Sequence, residues 1–128
     1  VIYPASHYGR DAMVGVALFL SNLAHKGISV SEYKAGLPQY FIAKNRIDLS
    51  DPAMIDRILE EMKRHYANEK INTVDGVKID FEERQQWVHL RRSNTEPIIR
   101  IYSEAHSEAE AQALADEVMA LARSIMEG

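Results

Sequence analysis

The apolar positions of the chain predict a helix near each end of the sequence. Residues 11–26 are apolar on nearly every side, with Asp11 placed to cap this helix and Gly27 to end it. A helix of this kind is usually buried on several sides, yet the few residues before it are too short to supply a sheet. The last helix starts at the capping pattern of Ser107 and Glu110, and its apolar face consists of Ala111, Leu114, Ala115, Val118, Leu121, Ala122 and Ile125.

Shorter patterns follow the first helix. Residues 32–35 predict a single helical turn, and residues 40–49 predict a strand. Asp51 and Pro52 then mark the start of another helix. Its apolar stripe has helical spacing and consists of Ile55, Ile58, Leu59, Met62 and Tyr66.

Strand-type patterns dominate the region between the last two helices, in the runs 71–74, 77–81, 87–90 and 98–102. Asp75-Gly76, between the first two runs, is a strong hairpin signal. We interpret the chain from about residue 40 onward as strand, helix, three strands and helix. This order predicts an α+β two-layer sandwich, in which a small antiparallel four-stranded sheet carries two helices on one face.

Composition and charge narrow the function classes. The chain has 128 residues, 46% of them hydrophobic and 27% charged, which is typical of a soluble globular protein. Cysteine is absent, which excludes disulfides and thiolate metal sites and favours a cytoplasmic location. The net charge of -4 argues against nucleic acid or a membrane as partner. The longest apolar stretch has about half of the roughly 20 residues needed to span a bilayer, so we interpret it as a core helix.

The segment 91–100 carries the candidate chemistry. Ser93, Asn94 and Thr95 occupy consecutive turn positions, and Arg91 and Arg100 flank them where the strands end and begin. Short hydroxyl and amide side chains, a nest of backbone N–H groups and arginine forks all suit phosphate oxygens. The pattern predicts recognition of a compact dianion.

Other interpretations of this segment remain open from the residues alone. Ser-Asn-Thr before a proline also makes an ordinary turn, with the arginines solvated or paired with Glu96 and Glu104. A nucleic-acid site would use the arginines together with Trp87 or Tyr102 as a stacking surface, although the acidic total disfavours it. A module that recognises phosphate on a partner, without catalysis, is the alternative function.

The segment resembles the phosphate-binding loop of the α-D-phosphohexomutases, the phosphoglucomutases and phosphomannomutases. That loop is usually Arg-x-Ser-(Gly or Asn)-Thr-Glu-Pro with an arginine three positions after the proline, as in residues 91–100. The departures are Asn94, where many members have Gly, and Arg92, where many have a small residue or Pro. Further similarity covers essentially the whole chain, in residues 75–78, 87–88, 37–40 and 1–20, especially 9–12.

The resemblance implies an enzyme of four domains, of which this chain holds only the end. Residues 1–27 are then the last part of the third, sugar-recognition domain, 28–45 a connector, and 46–128 the C-terminal phosphate-binding domain. The start at Val1, without Met or a signal peptide, fits such a fragment. The implied partners are a hexose phosphate and the missing N-terminal domains. These domains supply the phosphorylated serine and the Mg²⁺ site, so we expect no metal site and no activity in this chain alone.

The resemblance also assigns site residues. The expected ligands of the substrate phosphate are Arg91, Ser93, Asn94, Thr95 and Arg100. His7 and Arg10 follow the sugar loop and are candidates for lining the cleft, against the surface or packing role that is more common for an isolated histidine. The choice of sugar depends on residues upstream of Val1.

Overall fold

The computed structural model describes residues 1–49 and 51–128, which divide into two compact units, Val1–Pro38 and Gln39–Gly128. Strand β1 begins at Phe41, inside the segment 28–45 that the sequence assigns to a connector, and the assigned boundaries stay a prediction. In the described part of the chain, no helix is long and apolar enough to cross a membrane.

The first unit contains the helices α1 (Ala12–Lys26) and α2 (Val30–Ala35). The Asp11 carboxylate accepts a hydrogen bond from the Val14 amide at 3.0 Å. This bond, and a second one from His7, hold the pKa of Asp11 below its ordinary value. Helix α1 ends at Gly27, whose φ of +62° is accessible to glycine. The predicted helix is confirmed, with both of its caps.

Helix α1 keeps most of its apolar surface exposed. Leu23 is its one buried residue. The exposed fractions of its larger apolar side chains run from 38% to 74%, at Met13, Val16, Leu18, Phe19 and Leu20. The sequence of α1 is typical of a helix that is buried on several sides, but within this chain most of its apolar side chains are exposed.

The second unit is one antiparallel sheet with two long helices. Its elements are β1 (Phe41–Asp48), α3 (Ala53–His65), β2 (Lys70–Asn72), β3 (Val77–Phe81), a short 3-10 helix (Glu82–Arg84), β4 (Gln86–Arg92), β5 (Ile98–Ala105) and α4 (Glu108–Glu127). The strand order across the sheet is β1-β5-β4-β3-β2, and every neighbouring pair is antiparallel. The predicted α+β class is confirmed.

The prediction of four strands is wrong, because the sheet has five. The Asp75-Gly76 turn separates two segments that each form a strand, and Gly76 adopts a φ of +80°. Strand β2 is only three residues long and pairs with β3 alone, at the edge of the sheet. A short edge strand of this kind is easily merged with its neighbour in a pattern-based count.

The core lies between α3, α4 and one face of the sheet. Its fully buried side chains include Ile58, Met62, Ile79, Val88, Leu90, Ile99, Ile101 and Val118. The buried hydroxyl of Ser103 in β5 donates to the Ala111 carbonyl of α4 at 2.7 Å. Burying one such aliphatic side chain contributes about 1.5–3 kcal/mol, so this layer supplies most of the stabilisation.

The opposite side chains of the strands form what we call the polar face of the sheet. Since strand side chains alternate, this face carries Lys44, Arg46, Lys78, Asp80, Trp87, His89, Arg91, Arg100, Tyr102 and Glu104. All of them are exposed or half-buried. The sheet therefore presents an apolar side to its helices and, on the other side, a mostly polar surface of mixed charge that also includes Asp48.

Tyr66 links the end of α3 to α4, because its hydroxyl donates to Glu117 Oε1 at 3.1 Å. We expect Tyr66→Phe to lower the free energy of unfolding at neutral pH by about 1.5–3 kcal/mol, the usual contribution of a hydrogen bond to a charged group. Urea unfolding followed by the fluorescence of Trp87 measures this change, and Tyr8→Phe, at an 83% exposed residue, is the control.

The same variant has an altered pH dependence. Burial, followed by the nearby Glu117 carboxylate, raises the pKa of Tyr66 above its ordinary value. Tyrosine in the unfolded chain loses its proton near pH 10, so the stability from Tyr66 is present below about pH 10 and lost above it. Between pH 8 and pH 11 the stability of the Tyr66→Phe chain should therefore fall less steeply than that of the wild type. Equal slopes for the two chains would contradict the assignment.

Candidate functional site

The candidate site is the loop of residues 93–97 between β4 and β5. Three backbone hydrogen bonds hold it at the end of the sheet. The Ser93 amide donates to the Ile98 carbonyl at 3.0 Å, and the Ile98 amide donates to the Glu96 carbonyl at 2.8 Å. From the other side, the Leu49 amide donates to the Pro97 carbonyl at 2.9 Å. The loop is thus anchored both to its own hairpin and to the chain that leaves β1.

The residues predicted from the sequence surround one shallow depression of about 240 Å³. Its lining consists of Arg91, Arg92, Ser93, Asn94, Thr95 and Arg100. The structure therefore brings all five expected phosphate ligands together, and it adds Arg92. Their role as ligands stays a prediction.

Hydrogen-bond donors of the loop remain available. Among the described residues, no acceptor binds the backbone N–H groups of Asn94 and Glu96, which leaves them to a ligand or to water. The Thr95 amide makes only a long bond of 3.5 Å, to Ser93 Oγ. Ser93 is 8% exposed, while Asn94 and Thr95 are exposed. Such a group of backbone and side-chain donors is suited to an anion.

The arginines differ in their ion pairs. Arg91 Nε lies 3.0 Å from Asp75 Oδ2, and Arg92 Nη1 lies 3.6 Å from Asp56 Oδ1. Arg100 has no ion pair within residues 1–49 and 51–128. Among the described side chains, neither Glu96 nor Glu104 pairs with these arginines, and all three arginines are exposed, so the interpretation as an ordinary turn with solvated arginines stays open.

Asp75 orients the Arg91 guanidinium but uses only part of its hydrogen-bond donors. The carboxylate contacts Nε, so the two Nη groups keep donors for a ligand with paired oxygens. Asp75 is held there by the β2–β3 turn, where a Cβ on Gly76 would lie 2.2 Å from the Leu90 carbonyl oxygen. From the sequence, Asp75-Gly76 is a hairpin signal and part of the family resemblance, but its contact with Arg91 depends on the β3–β4 register and is not predicted.

The aromatic residues of the polar face already have neighbours. Lys78 Nζ lies 5.0 Å from the ring centre of Trp87, and Trp87 Nε1 donates to Glu104 Oε1 at 2.8 Å. Lys78 also pairs with Asp80. A base stacking on Trp87, as the nucleic-acid interpretation requires, would have to displace Lys78.

His7 and Arg10, the candidates for lining the cleft, belong to the first unit. His7 Nε2 lies 2.9 Å from Asp11 Oδ2, and the Gly9 amide donates to His7 Nδ1 at 2.9 Å. These bonds tie His7 to the start of α1. Arg10 is exposed and forms no ion pair with any residue that the structure describes. A role for either residue in a cleft stays a prediction.

A divalent metal does not fit the residues present. Outside residue 50, no group of three or more histidine or acidic side chains is arranged to hold an ion. Two carboxylates close to the loop, Asp56 and Asp75, each pair with an arginine, which is a poor setting for Mg²⁺, and Glu96 is the one carboxylate within the loop.

Solved structures share this fold. A phosphoglucomutase/phosphomannomutase family protein from Burkholderia thailandensis matches 77% of this chain and 20% of its own, with a TM-score of 0.55 and 20% identity. The N-acetylphosphoglucosamine mutase of Aspergillus fumigatus, solved in complex with GlcNAc-6P and magnesium, matches 90% of this chain and 21% of its own, with a TM-score of 0.50 and 21% identity. At these identities the likeness concerns the fold alone.

Sequence comparison identifies the family. The family model described as "Phosphoglucomutase/phosphomannomutase, C-terminal domain" matches residues 46–121. This chain therefore belongs to the phosphoglucomutase/phosphomannomutase family, and the resemblance seen in residues 91–100 is confirmed.

Curated relatives agree with this assignment. The phosphoglucosamine/phosphogalactosamine mutase of Sulfurisphaera tokodaii is 36% identical over 132 residues, which cover 99% of this chain and 27% of that protein. The phosphoglucomutase/phosphomannomutase of Thermococcus kodakarensis is 39% identical over 115 residues, which cover 88% of this chain and 24% of that protein. The chain thus spans about a quarter of the length of these relatives.

Gly76 provides a test of the turn that carries Asp75. We expect Gly76→Ala to lower the free energy of unfolding by about 1–3 kcal/mol, because the side chain is strained at positive φ and meets the Leu90 carbonyl. Urea unfolding followed by Trp87 fluorescence measures the loss. Gly36→Ala is the matched control, since its φ is -82° and the added Cβ meets nothing closer than 3.6 Å. Equal stability of the two variants would show that the turn accommodates a side chain.

Proposed function

We propose that this chain is the C-terminal part of a phosphohexomutase and that its loop binds the phosphate of a hexose phosphate during intramolecular phosphoryl transfer. The observation that carries the proposal is the convergence of Arg91, Ser93, Asn94, Thr95 and Arg100 on one depression of about 240 Å³. Family membership supports it, and so does the GlcNAc-6P bound to the Aspergillus relative.

The residues suit a phosphate dianion in both charge and hydrogen bonding. The backbone N–H groups of Asn94 and Glu96 and the hydroxyls of Ser93 and Thr95 donate to its oxygens, and the guanidinium groups of Arg91 and Arg100 balance its charge. Hydrogen bonds to a charged group contribute about 1.5–3 kcal/mol each. Several of them hold a small ligand firmly enough to fix its orientation.

The contribution of this domain to the reaction is positioning and charge neutralisation. In phosphoryl transfer these two effects supply most of the catalysis, since the protein forms few covalent bonds. The serine that carries the phosphoryl group belongs to the N-terminal domains of the parent enzyme. So does the Mg²⁺ ion, which neutralises charge on the transferred group when bound. We expect the chain by itself to bind phosphate weakly and to convert no substrate.

The first unit fits the end of a neighbouring domain. We assign residues 1–27 to the third domain, 28–45 to the connector and 46–128 to the C-terminal domain. The exposed apolar side chains of α1 would then be covered by the remainder of the third domain. The absence of cysteine favours a cytoplasmic enzyme.

Phosphate binding can be tested on the 128-residue chain. We expect inorganic phosphate and glucose 6-phosphate, at millimolar concentration, to shift the amide NMR signals of residues 93–96, while the neutral sugar glucose does not. Arg91→Gln should weaken the response at least about fivefold, because it removes a charged donor at the depression. Arg123→Gln, the same charge change on α4, is the control. Unchanged signals in the wild type would exclude phosphate binding by the isolated chain.

The role in the reaction is tested in the parent enzyme. Arg91→Ala should lower kcat/KM at least tenfold, about 1.4 kcal/mol of transition-state stabilisation, because the variant loses a charged donor to the substrate phosphate. Arg123→Ala is the control. A change of about twofold or less for Arg91→Ala, roughly 0.4 kcal/mol, would show that the loop does not hold the reacting phosphate. If the NMR titration shows phosphate binding but Arg91→Ala leaves kcat/KM unchanged, the domain would be a phosphate-recognising module without a role in catalysis.

A further inference from the structure

Strand register places three arginines in one row on the polar face. Arg100 of β5 lies directly opposite Arg46 of β1 on one side and Arg91 of β4 on the other. All three residues are exposed. Residues directly opposite each other on antiparallel strands have Cβ atoms about 4.5–5.5 Å apart, so the guanidinium groups share a small area.

Such a row is unfavourable unless anions neutralise it, since like charges directly opposite each other destabilise a sheet. The outer members have carboxylate partners in the chain. Asp75 lies 3.0 Å from Arg91, and Asp48 Oδ1 lies 3.6 Å from Arg46 Nε. The central residue, Arg100, has no carboxylate partner among the described side chains, so the uncompensated charge lies at the middle of the row.

The row lies next to the loop. Arg91 comes two residues before Ser93, and Arg100 follows Pro97 by three. One residue pair on the same face, Asp48 and Ile98, separates this row from the loop that carries the free amides of Asn94 and Glu96. The next row adds Lys44, which lies opposite Tyr102 and forms no ion pair within the described part of the chain. Positive charge thus extends from the loop toward β1.

We infer that Arg46 is a third guanidinium of the anion site, and that a phosphate dianion lies over Arg100 between Arg46 and Arg91. This inference rests on the proposed function and adds to it a residue from β1, outside the loop motif. Asp48 contacts Arg46 through Nε, which leaves both Nη groups to the ligand, as Asp75 does for Arg91. The site then combines the hydrogen-bond donors of the loop with the three arginines of the row on the polar face.

The experiment titrates the 128-residue chain with inorganic phosphate at constant ionic strength, following the amide signals of residues 93–96. We expect Arg46→Gln to weaken phosphate binding about three- to tenfold, and Arg100→Gln to weaken it more, because the dianion loses charged donors. Arg123→Gln, with the same loss of charge on α4, should change the affinity less than twofold. Arg46→Lys keeps the charge without the planar fork and should be intermediate.

The possible outcomes separate this inference from the proposal beneath it. If Arg91→Gln weakens binding while Arg46→Gln behaves like Arg123→Gln, Arg46 lies outside the site and the inference is wrong, although the loop still binds phosphate. If the wild-type chain shows no response, both are wrong. Because Arg46→Gln could also disturb β1, the signals of residues 41–48 without phosphate must match those of the wild type. If they do not match, the phosphate affinity of Arg46→Lys is used instead. Wild-type affinity in that variant would contradict a contact through both Nη groups of Arg46.

Discussion

The antiparallel pairing of β4 with β5 is the constraint on which the rest of this domain depends. It turns Val88, Leu90, Ile99 and Ile101 toward the helices, where all four are fully buried. The same register sets Arg91 opposite Arg100 on the other face. Since side chains alternate along a strand, a slip of one residue would expose the apolar set and bury the arginines. The apolar core therefore fixes the position of the cations.

Neighbouring carboxylates make this concentration of positive charge tolerable. The chain has a net charge of -4, yet its acidic residues are placed so that Asp48 and Asp75 neutralise the ends of the arginine row and leave the centre uncompensated. The net charge says little about such a site, because Coulomb interactions at 3–4 Å exceed those with distant charges. The local distribution of charge, and not the total, determines which ligand suits this surface.

Features that depend on residues close together in the sequence could be predicted from it. The caps at Asp11 and Ser107 and the turn residues 93–97 are local signals, and the helices, the fold class and the loop followed from them. The pattern of the fifth strand is present in the sequence and was merged with its neighbour, whereas the Arg91–Asp75 pair and the row that includes Arg46 could not be predicted. Each of these depends on which strands become neighbours and in what register, and such contacts join residues far apart in the sequence.

The bond from the Leu49 amide to the Pro97 carbonyl couples the loop to an edge of the sheet. Strand β1 has a partner only in β5, and edge strands open more readily than central ones. Local opening of β1 would withdraw Arg46 and release the loop anchor in one event. In the proposed site, anion binding and the closed edge would stabilise each other, so an occupied loop would also slow hydrogen exchange along β1.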